Sequence, residues 1–193
     1  LRFLRHLNPD INIYGLYGGP EEKFSESSRV LSSVLSHNYL IPVKDKIWKW
    51  KNSDKAFQLW FRDFGHTLDF EVLYLYEWDM LFFETIENLY SHVPTGYASY
   101  TGLIPLRKVE KKWYWTNHPQ YSKEWRNLLN QFIENYKYQN EPYAIIGPAA
   151  SFPREFFEFV ENIDIPDLCH DELRIPLFTQ IAGINMVDTG FFH

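Results

Sequence analysis

The sequence predicts an α/β fold, with a mixed, mostly parallel central sheet flanked by helices. Three observations predict it. Short apolar, β-favouring runs alternate with amphipathic stretches along the chain, the pattern of layered α/β domains. Val72-Leu-Tyr-Leu-Tyr76 is a continuous apolar run, as in a central strand covered on both faces. Tyr121 to Tyr138 places Trp125, Leu128, Leu129, Phe132, Ile133 and Tyr136 on one helical stripe. The 193 residues fit a single domain, 1–193. No repeat, low-complexity tract or linker divides it.

Leu1 to Leu7 is helix-like. Ile11-Asn-Ile-Tyr14 reads as a strand that enters a flexible turn, Gly15-Leu-Tyr-Gly-Gly-Pro20. Ser25 to His37 carries Val30, Leu31, Val34 and Leu35 at helical spacing, with serines near its start as caps. Leu40 to Val43 reads as extended, and Lys46 to Trp50 alternates weakly as in a further strand. Asn52-Ser-Asp54 opens a helix whose buried face is Ala56, Phe57, Leu59, Trp60 and Phe61, and Gly65 ends it. Glu84 to Tyr90 is a short helix. Pro94 to Trp115, rich in glycine and rings, reads as strands and loops. Tyr143-Ala-Ile-Ile146 is a short buried strand that leads into Gly147-Pro-Ala-Ala150. Ser151 caps a helix with Pro153 in its first turn. A last helix runs from Asp171 to a stop at Gly183.

Composition narrows the function. A net charge of −6 and a pI near 5.6 argue against nucleic acid, which selects basic surfaces. They suit a protein that recruits a cation to meet an anionic ligand. A single cysteine, Cys169, leaves no internal disulfide, which points to a reducing, cytoplasmic setting, with a disulfide-free luminal domain as the alternative. No apolar run approaches the roughly 18 residues of a membrane span. Sixteen Phe, 13 Tyr and 7 Trp are many rings. Most serve a core, but rings also stack on nucleobases and sugar faces. Trp48-Lys-Trp50 and Trp113-Tyr-Trp115 are the two surface candidates. The chain starts at Leu1 rather than Met and reads as trimmed at one or both ends.

The chemistry-bearing candidates begin with Glu77-Trp78-Asp79. The two acids follow a strand at its carboxyl end, where open α/β sheets bind ligands. Two residues apart in extended chain, they point the same way. Converging carboxylates repel unless a cation lies between them, and Mg²⁺ or Mn²⁺ suits oxygen ligands shared with phosphate. Two unremarkable acids on a solvated strand end are the alternative.

The string Val72 to Phe82 resembles the hydrophobic strand and acidic triplet of the GT-A fold nucleotide-diphospho-sugar glycosyltransferases, with Glu-x-Asp where their motif is Asp-x-Asp. Ala144-Ile-Ile-Gly-Pro-Ala-Ala-Ser-Phe-Pro-Arg-Glu-Phe-Phe157 resembles that family's later strand, small-residue turn and helix. Cys169-His-Asp-Glu-Leu-Arg174 resembles its acidic pair at a late helix start. The resemblance implies a metal-dependent transferase that moves a sugar from a nucleotide-diphosphate donor to a glycan or other hydroxyl acceptor. Inversion is the preferred outcome, and retention stays open. Mn²⁺ or Mg²⁺ would sit on Glu77, Asp79 and His193, and the histidine would favour manganese. Asp171 or Glu172 would be the general base, acting through geometry more than through a raised pKa. Tyr14, Tyr17, Gly18, Asp54, Trp60, Trp78 and Gly147 would contact the nucleotide sugar, with Arg62 as a possible phosphate partner. His170 reads as exposed. The family's opening strand would lie upstream of Leu1. The alternatives are a non-catalytic nucleotide-sugar or glycan-binding module on the same fold, and a metal-dependent phosphate-ester hydrolase that uses the same carboxylates.

Overall fold

The computed structural model describes residues 1–147 and 149–191. His193 therefore lies outside the described residues. The chain is an α/β protein built on a four-stranded sheet with two small two-stranded sheets beside it. In order it runs α1 (Arg2–Leu7), β1 (Tyr14–Tyr17), α2 (Phe24–Leu31), β2 (His37–Leu40), α3 (Lys46–Lys51), α4 (Ser53–Asp63), β3 (Val72–Tyr76), α5 (Ile86–Leu89), β4 (Ala98–Tyr100), β5 (Ile104–Pro105), α6 (Tyr114–Asn117), α7 (Pro119–Tyr136), β6 (Tyr143–Ala144), β7 (Ala149–Pro153), α8 (Arg154–Val160), α9 (Asp171–Ile181) and β8 (Met186–Asp188).

The main sheet has the order β3-β7-β4-β8. Strand β7 is antiparallel to both its neighbours, and only β4 and β8 run parallel. The expected mostly parallel sheet is thus replaced by a mixed one in which antiparallel pairing predominates. Parallel pairing also joins β1 to β2, and β5 is antiparallel to β6. Strand β3 sits at an edge of the main sheet and is half-buried throughout, not central. Its apolar run nevertheless has packing on both faces. Leu73 and Leu75 lie against the main core. Tyr74 and Tyr76 meet Tyr90, with centroids 4.7 and 6.2 Å away.

The main core gathers Phe57, Trp60 and Phe61 of α4, Leu128 and Phe132 of α7, Phe152 of β7, Phe156 and Phe157 of α8, and Leu173, Leu177 and Phe178 of α9. At about 25 cal/mol per Å² of apolar surface, rings of 150–250 Å² contribute several kcal/mol each before entropy is counted.

Several elements differ from expectation for local reasons. The first strand is Tyr14–Tyr17, not Ile11–Tyr14, because it pairs with β2 in register Tyr14↔His37 through Tyr17↔Leu40. The expected helix to His37 stops at Leu31 for the same reason. Lys46–Lys51 is a helix: the Asp45 side chain accepts from the amides of Ile47 and Trp48 and caps it. Ser151 lies inside β7, where its hydroxyl meets that of Ser99 at 2.7 Å, and Pro153 is the N-cap of α8. Helices α4 and α7 fall where the periodicity puts them, and α9 runs from the expected start at Asp171 to just before Gly183, which takes the left-handed φ of +74°.

Cys169 is buried and precedes α9 with φ +62°, a conformation uncommon outside glycine. Burial, then the Glu124 carboxylate, pushes its thiol up to about 12, with Arg174 and Lys51 opposing. Native protein at pH 8 should therefore resist iodoacetamide and react only once unfolded. Rapid stoichiometric alkylation without denaturant, read by mass spectrometry, would contradict this placement.

Candidate functional site

The reversed strand β7 builds the site. Its register pairs Tyr76 with Ala149, so the carboxyl end of β3 faces the turn that starts β7. A Cβ placed on Gly147 would lie 3.9 Å from Glu77 Oε1. The same turn touches the start of α9: Ile145 N–H donates to Glu172 O at 3.3 Å, and the Gly147 amide hydrogen-bonds the Glu172 carboxylate. Leu75, Gly147, Asp171, Glu172 and Ser53 line one small cavity. The triplet, the small-residue turn and the acidic pair, separate in sequence, therefore meet at one end of the sheet.

The triplet itself is not extended. Met80 N–H donates to Glu77 O at 3.1 Å and closes a turn over Trp78 and Asp79. The alternation that would aim both acids one way is absent, yet they remain coupled. Desolvation, then the charges of Asp79 and Asp171, raises the Glu77 pKa. Glu77 is open to solvent over much of its surface. Burial therefore counts for less here, and the two like charges are the part a cation would relieve. Among the described residues, no three His, Cys, Asp or Glu side chains are gathered so as to hold a metal ion by themselves. Glu77 and Asp79 supply two oxygen donors of the type hard cations prefer.

The acidic pair divides into two different groups. Asp171 is buried. Its Oδ2 accepts from Ser53 N–H at 2.7 Å and its Oδ1 lies 2.7 Å from His170 Nδ1. Burial opposes its ionisation, but His170, the Ser53 amide and Arg174 outweigh it and hold the carboxyl below its ordinary value. Asp171 is thus a joint between α9 and α4, with its oxygens already engaged. Glu172 keeps 18% of its side chain exposed and accepts from Trp115 Nε1 at 2.7 Å. Burial raises its pKa against the opposing His170, Trp115 and Gly147 interactions. A raised carboxyl is the better proton acceptor near neutral pH, so the expectation of a base with an unraised pKa is reversed for Glu172.

His170 is buried, not exposed. Its ring stacks on Trp115 at 4.3 Å and meets Trp50 edge-on at 5.1 Å. Glu172 N–H also approaches Nδ1, at 3.4 Å. One nitrogen cannot both donate to Asp171 and accept from Glu172. The shorter carboxylate contact places the proton on Nδ1.

Other expected nucleotide contacts are used elsewhere. Asp54 is buried and binds Arg174 through both oxygens, at 2.7 Å each. Trp60 is 2% exposed and packs on Phe61 and Phe157. Tyr14 packs on Trp60 and Phe64. The Tyr17 hydroxyl donates to Pro20 O, and Gly18 O accepts from Lys49. Arg62 donates to Glu161 O at 2.7 Å. Only Trp78, 86% exposed, and Gly147 stand beside the carboxylates.

Sequence reasoning missed Ser53 and the buried state of His170 and of Trp115, which the string Trp113-Tyr-Trp115 offers as a surface ring. The two Trp-x-Trp strings were the available signal for the indoles; nothing local pointed to the Ser53 amide. Comparison with protein-family models, with curated proteins and with solved structures gives no match.

Proposed function

We propose that this chain binds a nucleoside-diphosphate sugar through a divalent cation at Glu77 and Asp79 and transfers the sugar to a hydroxyl acceptor, with Glu172 as base. The observation that carries the reading is the meeting of Glu77, Asp79, the Gly147 turn and Glu172 at one end of the sheet. Crowded acids next to a turn without a side chain suit a cation-bridged diphosphate. When bound, the cation would neutralise charge on the departing diphosphate. Glu172 would take the acceptor's proton as the hydroxyl oxygen bonds the anomeric carbon and the carbon–phosphate oxygen bond breaks. Asp171 positions α9 and does not itself act as the base.

Thermal unfolding with a panel of nucleoside diphosphates, with and without Mn²⁺, tests this. A ligand at 100 times its Kd adds about 2.7 kcal/mol, which at this chain length raises Tm by roughly 5–10 °C. Glu77→Ala or Asp79→Ala should remove the manganese-dependent part. Because protonated Glu77 cannot bind a cation, that part should also shrink as pH falls through the raised Glu77 pKa. If no nucleotide raises Tm in the presence of Mn²⁺, the transferase reading fails. One observation favours the second reading, a glycan-binding module: a cluster of partly exposed rings borders Glu172.

A further inference from the structure

Helices α3, α6 and α7 and the start of α9 bring six rings together. Trp50 lies 5.4 Å from Trp115 and 5.1 Å from His170. Trp115 lies 5.1 Å from Tyr114 and 5.0 Å from Tyr121. His118 lies 5.2 Å from Tyr114 and 5.4 Å from Tyr121. These rings come from segments about 120 residues apart in sequence, so the cluster is a product of tertiary folding. Trp115 and His170 are its buried floor, whereas Trp50 is 61% and Tyr114 54% exposed. A core cluster would hide its largest ring; this one presents an indole and a phenol to solvent.

Polar groups border the same face. Trp115 Nε1 holds the partly open Glu172 carboxylate at 2.7 Å. The Lys51 ammonium lies 4.8 Å from the Tyr121 centroid. His170 Nε2 is buried and has no hydrogen-bond partner among the described residues. Trp50, whose ring meets His170 edge-on, is its exposed neighbour. A buried polar nitrogen without a partner is costly, and this one lies in the floor of the cluster.

From these features we infer that Trp50 and Tyr114 form a carbohydrate-binding platform with Glu172 at its edge. Pyranose rings offer a flat C–H face for an aromatic ring and equatorial hydroxyls for a carboxylate and an ammonium. The cluster supplies those groups: exposed rings at Trp50 and Tyr114, with Glu172 against Trp115 and Lys51 over Tyr121. Its exposed apolar part is two side chains, far below the roughly 20–30 residues per side of a stable protein interface. That the bound sugar is the acceptor, placed with a hydroxyl at Glu172, rests on the transferase reading; sugar binding at Trp50 and Tyr114 does not.

The test is a titration of the whole chain with neutral di- to tetrasaccharides of glucose, galactose and N-acetylglucosamine, with no nucleotide or cation present. Indole N–H resonances of Trp50 and Trp115 report it, with calorimetry for affinity. At least one glycan should shift both indole signals saturably. Trp50→Ala and Tyr114→Ala should each weaken binding by roughly tenfold or more. Phe83→Ala, an exposed ring elsewhere on the chain, should leave it unchanged. Failure of every glycan to shift the indoles would overturn the platform, as would binding that survives Trp50→Ala in a folded variant. Self-association lost in Trp50→Ala would also overturn it, since the face would then join two copies. Glycan binding without any nucleotide response would support the platform and sink only its role as an acceptor site.

Discussion

Asp54→Ala should lower unfolding stability by about 3–5 kcal/mol, or roughly 10 °C in Tm for a chain of 193 residues. Arg174 is fully buried, and its guanidinium has no route to water. Asp54 neutralises it with two hydrogen bonds of 2.7 Å. The three remaining N–H groups serve Leu168 O, Cys169 O and, shared on Nη2, Lys51 O and Asn52 Oδ1. Those acceptors keep the guanidinium bonded after Asp54 is lost but leave its charge unpaired in a low-dielectric interior, where the cost is largest. Removing both members, as Asp54→Ala with Arg174→Met, should cost less than the sum of the two single variants. Denaturant unfolding of the four proteins measures this, and additive losses would show that the pair is not coupled. The consequence reaches the site: Arg174 ties down the loop at Leu168 and Cys169 that delivers His170, Asp171 and Glu172. Asp54→Ala should therefore also weaken the manganese-dependent nucleotide response, although both Asp54 oxygens are taken up by Arg174.

On the proposed transferase reading, the largest catalytic effect is expected at Glu172. Glu172→Gln keeps the shape and can still accept from Trp115 Nε1, but it cannot take a proton. With a donor and acceptor in hand, turnover should fall by about 10²–10⁴-fold, while the manganese-dependent nucleotide shift is retained. The neighbouring Asp171→Asn should behave in the opposite way, with a clear loss of stability. The pH dependence separates the two. Glu172 has a folded pKa above its ordinary 4.5, so its contribution to stability is present at low pH and declines as pH rises from there through the folded value. Asp171 has a folded pKa below its ordinary 3.8, so its contribution is present above that value and is lost as pH falls below it. Stability at neutral pH should thus hold or rise in Glu172→Gln and drop in Asp171→Asn. Full turnover in Glu172→Gln would remove Glu172 from the role of base.

The sequence by itself determined the elements whose signals are local. Helices α4 and α7 carry their own 3.6-residue apolar period, α9 is bounded by its acidic start at Asp171 and its stop at Gly183, and β3 is a bare apolar run that ends at a charged triplet. Periodicity and the residues that end an element act within a few residues, so one sequence is enough to read them. The triplet, the Gly147 turn and the acidic pair came forward as a set only through the motif resemblance, not through any local signal. Tertiary structure decided what surrounds those residues. The reversal of β7 sets Gly147 against Glu77, and no local pattern encodes which strand a run will pair with. Asp54 looks like any acid in a first helical turn until Arg174, 120 residues later, claims it. Asp171 and Glu172 are adjacent carboxylates set apart by what surrounds them: one is tied to Ser53 and His170, and the other keeps 18% of its side chain exposed beside Trp115. Trp50 and Trp115 become one surface only when α3 meets α6. A carboxylate's role depends on burial and on its partners' charges, and both are set by contacts distant in sequence.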